Sequence, residues 1–300
     1  MDRTSYALRQ PLAFSRNVID RAGDRRRDDR WLAEAWADER TRVLVVADGA
    51  APMVDGRLVQ VGPSEAPDGE RFLLGVDADG IAHFAVHLAG PHPDVRAVGL
   101  RRASLSLDDR EGGLLVHAVA LANWHATHSH CSRCGAPTVV AEAGHLRRCP
   151  EDGTEHYPRT DPVIIVLVVD DADRCLLGRH PDWPEGRYST LAGFVEPGET
   201  PEQAIVREVR EETAVAVTSC SYAGSQPWPF PSNLMLGFYA RSVGEDPQPD
   251  GKEISDARWF SRAGLAAAIE ARELIVPPSV AISRRLIEGW YGGDLPVTPG

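Results

Sequence analysis

The sequence predicts an α/β (α+β) protein, and three features of the chain support this class. Residues 43–86 contain short apolar runs separated by turn residues, a pattern typical of β-strands. An unbroken apolar run, Val163–Val169, is typical of a strand buried on both faces of its sheet. A glycine-containing loop then leads into an acidic helix expected over residues 201–213. With 300 residues, 43% of them hydrophobic, the chain has enough material for about two packed cores.

The first part of the chain, residues 1–128, is predicted to form a small α+β domain without a catalytic arrangement. Its elements follow from apolar periodicity and from a turn at Asp77–Gly80. The predicted strands are Val43–Val46, Leu58–Val61, Phe72–Val76 and Ile81–Val86, and helices are expected near Trp31–Trp36 and Leu114–His128. We expect the nearby histidines to be exposed or capping residues rather than ligands: His117, His125, His128 and His130.

Residues 129–158 carry the spacing of a zinc ribbon. Cys131 and Cys134 are two residues apart, and Cys149 opens a partner turn in which Asp152 stands where a fourth cysteine is expected. Thiolate ligation of zinc stabilises a fold that is too small for its own core. We therefore predict one structural Zn²⁺ per chain, held by the three cysteines and Asp152. The alternatives for the fourth ligand are His156 and His145, and the alternative for the site is a set of buried thiols without metal.

The third predicted part, residues 159–295, begins with the buried strand Val163–Val169. Further strands are expected at Cys175–Gly178, Tyr188–Phe194, Leu234–Arg241 and Ala257–Phe260, and helices at Leu265–Ala271 and Val280–Tyr291. Cys175 and Cys220 stand alone in the sequence and are predicted to be core residues.

A capping box sets the start of the acidic helix. Thr200 is the predicted N-cap, Pro201 occupies the first helical position, and Gln203 follows three residues after the cap. Arg207 precedes Glu211 by four residues, a spacing that allows an ion pair on the helix surface.

The same helix groups three carboxylates on one flank. At about 100° per residue, Glu208, Glu211 and Glu212 share an arc beside the apolar arc of Ile205, Val206 and Val209. We expect the apolar flank to pack and the acidic flank to be exposed. Grouped carboxylates repel one another, and oxygen ligands at this density suit Mg²⁺ or Mn²⁺ rather than Zn²⁺. A solvated acidic face is the alternative interpretation.

The loop and helix together resemble the signature of the Nudix hydrolases. The spacing is Gly193-x5-Glu199-x7-Arg207-Glu-Val-x-Glu-Glu, and the chain departs from the family pattern at Ala214, where the family has glycine. The resemblance implies a Nudix α/β/α sandwich with a mixed sheet, in which Mg²⁺ or Mn²⁺ assists hydrolysis of a nucleoside diphosphate linked to another group. It also implies that Glu199 orients the loop. The metal ligands that it implies are Glu208, Glu211, Glu212, Glu253 and the backbone oxygen of Ala192.

Residues 225–233, Ser-Gln-Pro-Trp-Pro-Phe-Pro-Ser-Asn, follow the helix. We call this segment the proline-aromatic string. Its alternating prolines stiffen the backbone and hold Trp228 and Phe230 at low entropic cost. The string resembles the marker of NADH pyrophosphatases, with Asn233 in place of a serine. The resemblance implies a substrate site that comprises Gln226, Pro227, Trp228, Pro229, Phe230, Pro231, Ser232 and Asn233. It also implies that Phe194 and Tyr157 sandwich the nicotinamide, with Tyr157 supplied by a second subunit of a homodimer.

Charge and cysteine content limit the remaining possibilities. A net charge of −12 disfavours broad binding of nucleic acid, although contact with the end of an RNA remains open. Five cysteines at partly metal-like spacing, without a signal peptide or membrane span, predict a cytoplasmic protein that does not bind membranes.

The resemblance implies cleavage of NAD(H) to NMN(H) and AMP, together with removal of NAD caps from RNA 5′ ends. Two alternatives stay open. One is a Nudix hydrolase of ADP-ribose or dinucleoside polyphosphates, which needs neither the zinc ribbon nor the string. The other is a nucleotide-sensing regulator without activity, which is expected to lack some of the carboxylates that this chain retains.

Overall fold

The computed structural model describes residues 6–15 and 18–296, and this part of the chain divides into two compact units. The C-terminal unit contains residues 6–13, 161–226 and 234–296, and the N-terminal unit contains the other described residues up to 160 together with residues 227–233. The predicted boundary between residues 128 and 129 lies inside the N-terminal unit. Residues 227–233, most of the proline-aromatic string, are therefore grouped with the first half of the chain.

The N-terminal unit combines three small sheets with three helices. Its strands are β1 (Arg42–Val46), β2 (Ala50–Val54), β3 (Arg57–Leu58), β4 (Glu70–Val76), β5 (Ala82–His87), β6 (Ala97–Gly99), β7 (Val139–Ala141), β8 (Leu146–Arg148) and β9 (Glu155–His156). Its helices are α1 (Asp29–Ala37), α2 (Leu100–Ala103) and α3 (Asp109–Thr127), and 3₁₀ turns occur at Gly23–Arg25 and Glu142–Gly144.

Each of these sheets has three strands, in the orders β1-β5-β4, β3-β2-β6 and β7-β8-β9. Strand β1 runs parallel to β5, and the other neighbouring strands of these three sheets are antiparallel. Of the three cysteines of the predicted ribbon, Cys131 and Cys134 precede β7, and Cys149 lies in the turn between β8 and β9. Of the predicted strand Leu58–Val61, only Leu58 lies in β3, and Val61 forms an isolated bridge with Val43.

Two histidines of α3 differ from the sequence expectation. His117 and His125 are buried rather than exposed. His125 Nε2 lies 2.8 Å from the carbonyl oxygen of Gly144, and its ring stacks on Phe72 at 4.5 Å between centroids. The expectation failed because α3 is enclosed on most of its sides, so histidines on several faces of the helix become core residues.

The C-terminal unit is built on one six-stranded sheet. Its strands are β10 (Asp161–Val169), β11 (Cys175–Arg179), β12 (Leu191–Phe194), β13 (Ser219–Trp228), β14 (Asn233–Arg241) and β15 (Asp256–Phe260). The last two residues of β13 and the first of β14 are grouped with the N-terminal unit. Its helices are α4 (Pro201–Thr213), α5 (Arg262–Glu270) and α6 (Ile282–Tyr291). The sheet order is β13-β14-β10-β11-β15, and β12 pairs with β10.

Strand β10 is buried on both faces, as its unbroken apolar run predicts. Ile164, Val166 and Val168 pack in one core with residues of α4, whereas the alternate residues from Ile165 to Val169 pack in a second core with residues of α5 and α6. Because successive side chains of a strand point to opposite faces, one strand supplies both cores. The unit is therefore an α/β/α sandwich, which confirms the predicted fold class.

Helix α4 has the ends that its sequence predicts. Thr200 Oγ1 accepts a hydrogen bond from the Gln203 amide, and the Gln203 side chain accepts one from the Thr200 amide. At the other end Ala214 adopts a left-handed conformation, with φ 59° and ψ 7°. Alanine thus occupies the position for which glycine is the usual choice, at a steric cost that the rest of the unit offsets.

Among the residues that the structure describes, no helix combines the length and the hydropathy needed to cross a lipid bilayer.

Candidate active site

Three carboxylates from two distant segments come together in the C-terminal unit. Glu208 and Glu212 lie one turn apart on α4, and Glu253 lies in the loop before β15. One oxygen from each lies within 4.8 Å of the others. Tertiary folding therefore adds Glu253 to a pair that the helix alone creates.

The acidic flank of α4 is not uniformly exposed. Glu208 and Glu212 are 8% and 5% exposed, whereas the Glu211 side chain is 62% exposed. The loop before β15 folds back over the end of the helix: the Asp250 amide donates to the Glu212 carbonyl, at 3.2 Å. The expectation of an exposed flank is therefore wrong for two of its three carboxylates. On the apolar flank Ile205 and Val209 are buried as expected, whereas Val206 is 46% exposed, so the expectation of packing is wrong for Val206.

Burial makes the Glu212 carboxylate an unusual group. Its Oε2 is buried and has no hydrogen-bond partner in the described structure. Burial, together with the nearby charges of Glu208 and Glu253, raises the pKa of Glu212 to about 8. Burial also raises the pKa of Glu208, although Arg207 opposes this shift. Such a cluster is costly to ionise without a compensating positive charge.

The cluster has room because residue 193 is glycine. Gly193 lies in β12, which pairs with β10. A Cβ added there would lie 2.0 Å from Glu208 Cδ and Oε1. The Glu208 carboxylate thus occupies the space that any other side chain at residue 193 would fill.

Arg207 orders the carboxylates that surround the cluster. Its guanidinium donates to both oxygens of Glu199, at 2.9 and 2.8 Å, and to the backbone oxygen of Phe194, at 2.9 Å. It also lies 2.8 Å from Glu208 Oε1 and 3.2 Å from Glu211 Oε2. These contacts raise the pKa of Arg207, and the hydrogen bond from Arg207 lowers the pKa of Glu199. Glu199 is therefore bound to the helix through Arg207 and does not lie in the cluster itself.

Asp250 is a site residue that sequence reasoning missed. Its carboxylate accepts hydrogen bonds from the amides of Lys252, Glu253 and Ile254, at 3.1, 3.1 and 2.8 Å. These bonds fix the turn that carries Glu253. The signal in the sequence is an Asp-Gly pair just before Glu253, since aspartate side chains bind backbone amides a few residues ahead.

The donor set fits a hard divalent cation. It contains carboxylate oxygens only, one of them buried and unpartnered, and the missing Cβ of Gly193 makes room for the Glu208 carboxylate. Oxygen ligands of this kind suit Mg²⁺ or Mn²⁺. Ala192 lies in β12, opposite Ile165 of β10. The role of its backbone oxygen as a further metal ligand stays a prediction.

A second ligand cluster lies in the N-terminal unit, at the turns of the sheet β7-β8-β9. It contains Cys131, Cys134, Cys149 and Asp152, whose ligand atoms all lie within 4.8 Å of one another. Cys134 Sγ is 3.5 Å from Cys149 Sγ, and Cys131 Sγ is 3.8 Å from Asp152 Oδ2. A hydrogen bond from the Cys134 amide lowers the pKa of the Cys131 thiol to about 6, which favours the thiolate that binds zinc.

The position of His145 separates it from this cluster. Its Nε2 lies 2.8 Å from the carbonyl oxygen of Leu73, in the core of the N-terminal unit. His156 lies nearer: its side chain helps to lower the pKa of the Cys131 thiol, and its buried Nε2 has no hydrogen-bond partner in the described structure. Asp152 completes the cluster as described, and its role as a ligand stays a prediction.

The proline-aromatic string is bound by residues of its own unit. The rings of Trp228 and Phe230 meet edge to face at 5.1 Å. The guanidinium of Arg101 lies 4.3 Å from the centre of the Phe230 ring and 5.6 Å from that of Trp228. The side-chain amide of Asn123 donates to the carbonyl oxygens of both prolines that flank Phe230, at 3.0 and 3.1 Å.

The other predicted substrate residues occupy varied positions. Phe194, in the C-terminal unit, and Tyr157, in the N-terminal unit, are 57% and 61% exposed. Gln226 is fully buried, and its amide donates to the carbonyl oxygens of Ala13 and Val280, at 2.9 and 2.8 Å. Those bonds give Gln226 a structural role, and its contact with substrate stays a prediction. The remaining members of the string are half-buried to exposed, except for buried Pro229: Pro227, Pro231, Ser232 and Asn233.

Comparison with known proteins identifies the family. The NUDIX domain family matches residues 158–277, and the NADH pyrophosphatase zinc ribbon domain family matches residues 126–157. The NAD-capped RNA hydrolase NudC of Mycobacterium bovis (strain BCG / Pasteur 1173P2) is 38% identical over 309 residues, which cover 95% of this chain and 96% of that protein. The NAD-capped RNA hydrolase NUDT12 of Homo sapiens is 37% identical over 245 residues, which cover 76% of this chain and 52% of that protein. The chain belongs to the Nudix hydrolase family, among the members that carry the NADH pyrophosphatase zinc ribbon.

Proposed function

We propose that this protein hydrolyses the diphosphate of NAD(H) to NMN(H) and AMP and removes NAD caps from RNA 5′ ends. The observation that carries the proposal is the cluster of Glu208, Glu212 and Glu253, with its buried, unpartnered carboxylate oxygen. The relatives named NAD-capped RNA hydrolases supply the substrate class.

In the proposed reaction, some residues of the C-terminal unit hold the metal ion and others position the metal ligands. Glu208, Glu212 and Glu253 would hold Mg²⁺ or Mn²⁺, with Glu211 and the Ala192 carbonyl as further candidates. An ion held there would neutralise charge on the diphosphate and lower the pKa of an attacking water. Arg207 holds Glu208 and the exposed Glu211 in place, and the Asp250 turn holds Glu253.

A comparison of substrates tests the proposal. Purified protein with Mg²⁺ or Mn²⁺ is incubated with NADH, NAD-capped RNA, ADP-ribose and diadenosine polyphosphates, and the products are separated by chromatography. We expect NMNH and AMP from NADH, and a 5′-monophosphate end on the RNA. Preference for ADP-ribose or the dinucleoside polyphosphates would favour the less specialised hydrolase, and binding without turnover would favour a sensor.

A matched pair of variants on α4 ties this activity to the cluster. Glu212→Gln keeps the size of a buried cluster residue, and Glu202→Gln makes the same change at an exposed position in the first turn. Loss of a ligand to the catalytic ion should cost several kcal/mol of transition-state stabilisation, so Glu212→Gln should keep less than about a tenth of wild-type kcat. Glu202→Gln should keep wild-type activity.

We infer that the ribbon holds one structural Zn²⁺ through Cys131, Cys134, Cys149 and Asp152. The zinc ribbon family match and the cluster of four ligand atoms support this assignment. Elemental analysis of freshly purified protein measures the zinc content, and the absence of zinc would refute the site.

We also infer a homodimer in which Tyr157 of one subunit serves the site of the other. Its basis is the family resemblance together with the exposure of Tyr157 and Phe194. Light scattering coupled to size-exclusion chromatography determines the oligomeric state, and a fully active monomer would refute the inference.

A further inference from the structure

A groove with a volume of about 590 Å³ lies within the N-terminal unit, beside the proline-aromatic string. Helix α2 lines it with Leu100, Arg101 and Arg102, and α3 contributes Asn123. Phe230 and its two flanking prolines form the opposite wall. The groove thus combines an aromatic and proline wall with a pair of guanidinium groups.

The protein itself holds this wall in position. Asn123 donates to the carbonyl oxygens on both sides of Phe230, and the Arg101 guanidinium lies over the Phe230 ring. A guanidinium packed on a ring retains N–H groups in its own plane, which are suited to phosphate oxygens. The groove is therefore preorganised, so that binding needs little further ordering of these side chains.

The charges of the two arginines of the groove are not neutralised by ion pairs in the part of the chain that the structure describes. Both side chains are exposed, and within the described residues neither forms an ion pair with a carboxylate. Several other arginines of the same unit do form such pairs, as with Arg96 and Asp94 at 2.5 Å. The groove also contains Asp48, so its side chains carry two positive charges and one negative charge. This local excess of positive charge contrasts with the net charge of −12 for the whole chain.

We propose that this groove binds the single-stranded RNA that follows the NAD cap. Arg101 and Arg102 contact its phosphates, and the wall at Phe230 packs against a base. Proteins that bind single strands combine positive charge along the backbone with aromatic side chains that contact bases, and the groove offers both. The proposal rests on the proposed function, and it adds the part of the substrate that NADH lacks.

RNA binding can be measured without hydrolysis. Fluorescence anisotropy with a labelled single-stranded RNA carrying a 5′-monophosphate, in buffer without divalent metal, gives Kd at several KCl concentrations. Arg102→Gln is the test variant, because Arg102 lines the groove but makes no ring contact with the string. Arg30→Gln is the control, since Arg30 is exposed on α1 and pairs with Glu34. Like Arg102→Gln, the control variant removes one positive charge from the N-terminal unit.

Arg102→Gln should raise Kd about three- to tenfold and lower the slope of log K against log salt by about 0.7, as expected for one lost phosphate contact. Arg30→Gln should change neither value by as much as twofold. Equal effects of the two variants, or no measurable RNA binding by the wild-type protein, would overturn the proposal.

Turnover provides an independent test. Arg102→Gln should lower kcat/KM for NAD-capped RNA about three- to tenfold while kcat/KM for NADH stays within about twofold of wild type. Parallel loss on both substrates would overturn the groove proposal by showing a general structural effect. If wild-type protein hydrolysed neither substrate, the proposed function would fail, whereas the anisotropy experiment would still decide whether the groove binds RNA.

Discussion

The space that Gly193 leaves for Glu208 allows a sharp test of the carboxylate cluster. In a Gly193→Ala variant the new Cβ would lie 2.0 Å from Glu208 Cδ and Oε1, and 2.5 Å from Oε2. Non-bonded heavy atoms prefer separations of about 3.5 Å. The Glu208 carboxylate must therefore move by more than about 1 Å, away from Glu212 and Glu253.

The size of the effect follows from this displacement. A misplacement of about 1 Å in a catalytic arrangement can cost about 100-fold in rate, which corresponds to about 2.7 kcal/mol. The atoms that must yield are the end of a flexible side chain, so the fold itself should tolerate the change. We expect kcat for NADH to fall about 100-fold and the melting temperature to fall by no more than about 4 °C.

The assay measures kcat at saturating Mg²⁺ together with the melting temperature of the same samples. Gly293→Ala is the matched control, because a Cβ at that position meets no atom within 4 Å. A double variant, Gly193→Ala with Glu208→Ala, should be no slower than Glu208→Ala alone, since the alanine at residue 193 acts only through Glu208. If Gly193→Ala retained more than about a tenth of wild-type kcat, or if the two changes had additive effects, the reasoning would be refuted.

Three further predictions concern the metals and a buried histidine. Mg²⁺ at about 100 times its Kd should stabilise the C-terminal unit by about 2.7 kcal/mol; thermal melts should show this gain in Glu202→Gln and lose it in Glu212→Gln. Cys149→Ser should lose zinc in elemental analysis and melt at a lower temperature. Asp152→Ala should bind zinc more weakly, and an unchanged zinc affinity would exclude Asp152 as a ligand. Burial lowers the pKa of His145 to about 4, so its neutral form is favoured in the folded state. The N-terminal unit should thus lose up to about 3 kcal/mol of stability as the pH falls from about 6.5 through about 4, and melts of His145→Gln should depend less on pH.

The sequence by itself determined the features that depend on neighbouring residues. Thr200 and Gln203 form the predicted capping box because an N-cap needs only the first turn of its own helix. The run Val163–Val169 predicted a strand buried on both faces. Successive side chains of a strand alternate between its two faces, and because all of them are apolar here, neither face is polar. Pattern and spacing also identified the family, because the loop and helix that carry the signature are one continuous segment.

The tertiary structure alone decided which of these groups are buried and which meet. Helical periodicity placed Glu208, Glu211 and Glu212 on one flank, but packing against distant segments, with Gly193 beside Glu208 and the Asp250 loop at Glu212, leaves two of them buried and the third exposed. The same periodicity could not show that α3 is enclosed, so the burial of its histidines was missed. Burial depends on contacts with segments that are distant in the sequence, and a local sequence pattern does not show which distant segments pack together. For that reason the chain alone revealed the chemistry of the carboxylates, whereas folding determined the pKa of Glu212, the space beside Gly193 and the groove at Phe230.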